Sequence, residues 1–359
     1  MKINKKNYRT IWYDKKEDNV KIIDQTQLPH KLEIVSLKSL EDTLIAIKNM
    51  QVRGAPLIGA TAAYGIYLAY RELSNKTKIY EASKKIKSTR PTAVNLFWAV
   101  DKMMKIIDLN LPFRETEKKL LNEANKLCEE DIQNCKKIGE FGFEIIKKIS
   151  ERKKEINVLT HCNAGWLATI DWGTATAPIY LAKKNNLNIH VWVDETRPRN
   201  QGALLTSYEL NNENINNTVI TDNTAGLLMQ RKEIDLCIVG ADRVTSNGHV
   251  ANKIGTFLKA LAAKEFNIPF YVAVPYSTID WNIKNFKDII IEERDESELK
   301  QIKGIDDSNK IRTINVYPSD SKVYNPAFDL TPNKFITNLI TNKGVIRPNE
   351  RDIIKLKNE

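Results

Sequence analysis

Hydrophobic and polar positions follow different periods in the two parts of this chain. Over residues 7–36 the apolar positions fall in short runs at 8–13, 20–24 and 31–35, separated by polar turns, with Leu28-Pro29 breaking the second run from the third. Such runs predict the strands of a small antiparallel sheet. Apolar or amphipathic stretches of helical period follow at 38–50, 55–74, 79–87, 92–107 and 114–150, the last long enough to bridge two domains. From residue 156 apolar runs alternate with helical stretches: 156–160, 188–193, 218–221, 236–240, 269–274 and 288–291. Strands buried on both faces and separated by helices predict a parallel, doubly wound sheet. The expected fold class is α/β, with a Rossmann-like catalytic domain over residues 131–359 and a smaller α+β domain over residues 1–130.

Right-handed crossovers place the C-terminal ends of all such strands on one rim, where ligands of open α/β sheets bind. The residues that follow the strands should therefore converge: His161-Cys162-Asn163, Asp194-Glu195-Thr196-Arg197, Asp222-Asn223-Thr224, Ala241-Asp242-Arg243 and Pro275-Tyr276-Ser277. No G-x-G-x-x-G follows any of these strands, which argues against a dinucleotide cofactor.

Composition narrows the class further. No apolar run approaches the roughly 18–20 residues of a membrane span, and no apolar stretch backs the basic start as in an export signal. Cys128, Cys135, Cys162 and Cys237 form no disulfide framework, so a reducing cytoplasm is expected. His30, His161, His190 and His249 lack the spacing of a zinc site, and no metal is expected. The net charge of +10 invites a nucleic-acid reading, yet residues 1–154 carry 31 Lys and Arg against 20 Asp and Glu, while the rest carries 24 against 25. The excess is spread along lysine-rich helices without interleaved aromatics, the pattern of solvated faces rather than of a phosphate-backbone track.

Five places carry chemistry. Cys162 follows a strand where the chain is expected to enter a helix, and a thiol near a helix N-terminus is biased toward thiolate; a buried structural cysteine fits the same position. Asp242 ends an apolar strand, so burial should raise its carboxyl toward the value a general acid needs; a helix N-cap is the plainer role. Asn252 and Lys253 are expected at the start of a helix running through Phe266, an arrangement suited to a phosphate or a sugar hydroxyl. Arg53-Gly54-Ala55-Pro56 places a guanidinium beside a helix start, with Gly54 permitting close approach, and Arg90-Pro91 repeats the logic. Each also fits a plain helix start with a surface arginine. His161 and Cys162, as strand neighbours, point to opposite faces, so His161 is read as structural.

Taken in order, Arg53-Gly54-Ala55-Pro56-Leu57-Ile58-Gly59, Ser88-Thr89-Arg90-Pro91-Thr92-Ala93-Val94-Asn95-Leu96, Thr160-His161-Cys162-Asn163, Asp194-Glu195-Thr196-Arg197-Pro198 through Gln201-Gly202, Gly240-Ala241-Asp242-Arg243 and Gly248 to Thr256 resemble the methylthioribose-1-phosphate isomerase family. That family lies in a superfamily that includes the regulatory subunits of translation initiation factor 2B. The resemblance runs from about Ile11 to residues 325–332. It implies a sugar-phosphate isomerase of methionine salvage, working as a homodimer without metal or organic cofactor and without nucleic-acid or membrane partners. It places the catalytic cysteine on Cys162, the catalytic acid on Asp242, and the substrate contacts on Arg53, Gly54, Ala55, Arg90, Gln201, Asn252 and Lys253. One departure is His249, where the family pattern leads us to expect an acidic residue. The alternatives are an isomerase of 5-deoxyribose 1-phosphate or ribose 1,5-bisphosphate, and a non-catalytic regulatory subunit.

Overall fold

The computed structural model describes residues 1–73, 75–90 and 93–358. Near the N-terminus, Ile11–Asp14, Asn19–Ile23 and Ile34–Leu37 pair as a three-stranded antiparallel sheet, as the alternation predicts. Its inward positions Ile11, Val20, Ile22 and Leu37 meet five helices: α1 (Leu40–Lys48), α2 (Ala55–Glu72), α3 (Lys76–Ser88), α4 (Val94–Ile107) and α5 (Phe113–Ser150). Helix α1 begins at a capping box, in which the Ser39 hydroxyl accepts the Asp42 amide and the Asp42 carboxylate accepts that of Ser39. Helix α2 is apolar on nearly every side because α4 and α5 cover it. The expected start of α4 at Pro91 lies outside the described residues. Helix α5 serves two cores, with Leu120, Ala124, Leu127 and Ile132 in the first and Ile138 and Ile146 in the second.

The second core is built on a seven-stranded sheet. Its spatial order is Gly344–Ile346, Asn338–Thr341, Phe270–Ala273, Leu236–Val239, Ile156–Thr160, Ile189–Asp194 and Asn216–Ile220. All pairs are parallel except the outermost one, Gly344–Ile346 with Asn338–Thr341. The chain fills the parallel part outward from Ile156–Thr160 in one direction, then returns to Leu236–Val239 and fills the other. The order therefore reverses between these two strands, and there the crevice of a doubly wound sheet opens.

Three expectations change. Residues 288–291 do not form a strand: Phe286–Asp288 is a single 3-10 turn, and Ile290 is 74% exposed. The sixth parallel strand is Asn338–Thr341, whose Leu339 and Ile340 are fully buried. Only two apolar residues between polar neighbours made it hard to recognise. Asn252 and Lys253 end a strand, Val250–Lys253, rather than opening a helix. This strand belongs to a second sheet of order Ile279–Asp280, Arg243–Thr245, Val250–Lys253 and Phe328–Thr331, and the helix starts only at Thr256, after Gly255 in a positive-φ conformation. Cys162 is not at a helix N-terminus either. A short 3-10 turn, Trp166–Ala168, follows it, and the next α-helix begins at Ala177.

Candidate active site

The two strands flanking the reversal deliver the two chemical groups. Thr160 ends one and Cys162 lies two residues beyond; Val239 ends its neighbour and Asp242 lies three beyond. All nine residues expected to contact substrate or carry chemistry line a single cavity at this point: Arg53, Gly54, Ala55, Arg90, Cys162, Gln201, Asp242, Asn252 and Lys253. His249 is not part of that lining. Its Nδ1 accepts the Asn333 amide and its ring lies against Phe286.

The loop carrying Cys162 is fixed from several sides. Cys162 has φ +66°, unusual for a side chain other than glycine or asparagine. Its amide donates to Thr196 Oγ1 at 2.8 Å, and its carbonyl accepts the Thr206 hydroxyl at 2.7 Å. Arg53 grips the next residue, donating to the Asn163 side-chain oxygen and to its carbonyl, both at 2.6 Å. Buried Glu209 accepts from Asn163 Nδ2, the amides of Trp166 and Leu167, and the Tyr180 hydroxyl. Gly54, with φ +85°, allows the N-terminus of α2 to meet this loop. A Cβ there would sit 2.3 Å from the Ala168 carbonyl oxygen, so the close approach that Gly54 permits is first of all to protein backbone.

Electrostatics sharpen the chemistry. Burial pushes the Asp242 carboxyl above its ordinary value, opposed by Arg90, Lys253 and Arg53. Burial also pushes the Cys162 thiol up, opposed by Arg53 and Lys253, which reverses the thiolate expected from a helix dipole. Both groups are thus biased toward their protonated forms, beside cations that are themselves withdrawn from water. Arg53, Arg90 and Lys253 are 6%, 6% and 7% exposed. Buried Nη1 of Arg90 and Oε1 of Gln201 lack a hydrogen-bond partner among the described residues, as expected of groups kept for a ligand.

His161 also lines this cavity. Its Nδ1 faces Asp194 Oδ2 at 3.0 Å and its Nε2 faces the Ile254 carbonyl at 2.8 Å, so it ties the strand below Cys162 to the residue after Lys253. His161, Asp194 and Asp222 stand close enough together to hold a cation. The Lys259 ammonium already fills that role, 3.4 Å from Asp194 and 3.9 Å from Asp222, and both ring nitrogens are engaged. Asp222 also accepts the amides of Thr196 and Arg197. The donor set reads as a scaffold for the loops rather than as a metal centre.

Some lining residues escaped the sequence reading. Arg199 stood within the motif that ends at Gln201, so a signal existed. Arg294 and Glu298 come from a segment that follows no parallel strand, and the rule of looking after strand ends does not reach them. Glu209 sits mid-helix in Ser207–Asn212, after a π-helical turn at Gly202–Thr206, and nothing in the sequence marks it as a loop anchor.

Comparison with known proteins bears on this arrangement. The chain is 50% identical over 352 residues to a methylthioribose-1-phosphate isomerase of Methylorubrum extorquens, covering 98% of this chain and 96% of the relative. It is 52% identical over 347 residues to the protein of the same name from Paramagnetospirillum magneticum, covering 96% of each. Among solved structures, 5-methylthioribose 1-phosphate isomerase from Pyrococcus horikoshii superposes with a TM-score of 0.83 at 39% identity, covering 98% of this chain and 96% of that one. A structure described as translation initiation factor eIF-2B, subunit delta, from A. fulgidus gives 0.78 at 42% identity, covering 98% and 100%. The profile of the Initiation factor 2 subunit family matches residues 51–348. With that match over residues 51–348 of its 359 and near-complete overlap with these relatives, the chain belongs to the Initiation factor 2 subunit family.

Proposed function

We propose that the chain is an aldose–ketose isomerase that converts 5-methylthioribose 1-phosphate to 5-methylthioribulose 1-phosphate in methionine salvage. The observation that carries this reading is the meeting of a thiol and a carboxyl, both shifted by burial toward their protonated forms, with three desolvated cations at the point where the strand order reverses. The names and identities of the relatives agree with it.

A phosphate on the anomeric oxygen blocks the free aldehyde that ordinary sugar isomerases enolise, so the furanose needs a proton donor to open. Asp242 gives its proton to the ring oxygen as the bond from that oxygen to C1 breaks. The hydrogen on C2 then moves to C1 and the C2 hydroxyl gives its proton to the Asp242 carboxylate left by the first step, leaving a C2 carbonyl; Cys162 serves the transfer between the carbons. Arg53, Arg90 and Lys253, with the amides at the start of α2, hold the phosphate and fix the sugar. Gln201 and Asn252 complete the polar contacts. The chain divides near residue 130, within α5, so that residues 1–130 bring Arg53 and Arg90 to the acids of residues 131–359. A cytoplasmic homodimer is part of the same proposal.

Incubation with 5-methylthioribose 1-phosphate, 5-deoxyribose 1-phosphate and ribose 1,5-bisphosphate, followed by 31P NMR, tests the reading. The expected result is ketose formation with the highest kcat/KM on the first sugar, and failure to form ketose from any of the three contradicts it. The same run in D2O bears on the transfer, since deuterium at C1 marks a proton relay through a group that exchanges with solvent. A regulatory subunit is the second reading, favoured by the likeness to the A. fulgidus structure. It predicts no turnover.

A further inference from the structure

An alternating row of charge runs from Arg90 along one wall of the cavity, and its other members belong to no step above. Arg90 Nε lies 3.3 Å from Glu292 Oε2, Glu292 Oε1 lies 2.7 Å from Arg294 Nη1, Arg294 Nη2 lies 2.6 Å from Glu298 Oε1, and the same oxygen lies 2.8 Å from Arg199 Nη1. Exposed ion pairs contribute little. Here the side chains are largely withdrawn from water and joined as a network, and Arg90, Arg199, Arg294 and Glu298 all line the cavity. The main chain that carries Glu292 and Arg294 is anchored as well. The Arg294 amide donates to the Asn325 carbonyl, the Ala327 amide to the Glu292 carbonyl, and the Ile254 amide, next to Lys253, to the Ala327 carbonyl.

We propose that Glu292 is a positioning residue for the proton donor, pairing with Arg90 so that this guanidinium serves the substrate's phosphate without drawing the proton off Asp242. The inference rests on the isomerase reading. Its geometry is a division of labour within one side chain: Arg90 turns Nε to Glu292, while its buried Nη1 has no partner among the described residues and remains for an anion. Four charged side chains act on Asp242: Arg90 from the segment after α3, Lys253 from the second sheet, Arg53 from the start of α2, and Glu292; the Cys162 thiol is coupled to it as well. Arg90 is the strongest of the three cations favouring the carboxylate, and Glu292 is the anion favouring the acid. Glu298 belongs to the same row but pairs with Arg294 and Arg199 rather than with Arg90, and so provides an internal control.

The test is the pH profile of kcat/KM for wild type, Glu292→Gln, Glu292→Asp and Glu298→Gln, with thermal melts and inorganic phosphate binding to establish folded, ligand-competent protein. Activity that needs a protonated Asp242 is present at low pH and lost as pH rises through its pKa. Removing the Glu292 charge lowers that pKa. The alkaline limb of Glu292→Gln should therefore move down by about one pH unit, which is about a tenfold loss of kcat/KM on the alkaline side. Glu292→Asp should restore the limb, and Glu298→Gln should leave it in place. An unmoved limb in Glu292→Gln, or an equal displacement in Glu298→Gln, overturns the proposal. A 13C NMR titration of the Asp242 carboxyl reads the same shift without substrate. It decides the point even where wild type turns over none of the sugars, an outcome that would count against the isomerase reading instead.

Discussion

Two cysteine–aspartate pairs are set into the interior of this protein, and they differ in what surrounds them. On α5, Asp131 and Cys135 stand one helical turn apart, with Sγ 4.0 Å from the carboxylate. Burial pushes Asp131 up to about 7, opposed by the Ile170 amide and assisted by Asp171, and it pushes Cys135 well up. At the rim of the large sheet, Cys162 and Asp242 come from neighbouring parallel strands, and burial raises both again. There, however, the raised groups face Arg53, Arg90 and Lys253. Burial alone makes a carboxyl retain its proton; a usable acid also needs cations that bring an anionic substrate to it. The α5 pair has the first property and the rim pair has both.

The largest contrast should come from the thiols. Cys162→Ser is expected to lower kcat by about 10²-fold or more, the scale of a lost acid–base group, whereas Cys135→Ser leaves kcat near wild type; steady-state kinetics on the two variants checks this. A smaller effect should follow from loosening the rim pair without altering it. Thr196→Val removes the oxygen that accepts the Cys162 amide, and should lower kcat about tenfold through misplacement of the thiol while costing about 1–3 kcal/mol for the unpaired amide, read by kinetics and denaturant melts. The smallest effect concerns stability. Because the Asp131 pKa is higher folded than unfolded, the native state holds the extra proton, and stability falls as pH rises from about 4 to about 7. Asp131→Asn should thus match wild type near pH 4 and be the more stable of the two at pH 8, measured as a pH series of melting temperatures. A variant no more stable at pH 8 would remove the burial argument from the comparison.

The sequence made the rim legible because its strands are short apolar runs bounded by polar residues, and topology then dictates where residues such as Cys162 and Asp242 must emerge. The same logic failed at residues 288–291, where an isoleucine run follows a 3-10 turn and pairs in no strand although Ile289 is buried, and at Asn338–Thr341, where two buried residues were too few to stand out. Lys253 was placed in the right cavity on the wrong element, since a strand ending before Gly255 and a helix beginning there share one local pattern. The thiolate expectation failed for a physical reason, because no α-helix begins at Cys162 and desolvation dominates. Glu209 and Glu292 could not be found from the sequence at all. Their importance lies in partners distant along the chain, Asn163 for one and Arg90 for the other.

The central claim is that Asp242, held protonated among cations, opens the sugar ring. Turnover of 5-methylthioribose 1-phosphate by Asp242→Asn, measured beside Asp131→Asn and with substrate binding determined by calorimetry, tests it most directly. The account predicts that Asp242→Asn binds substrate yet loses about 10²–10⁴-fold in kcat, while Asp131→Asn turns over normally. Near-wild-type turnover by Asp242→Asn would contradict it.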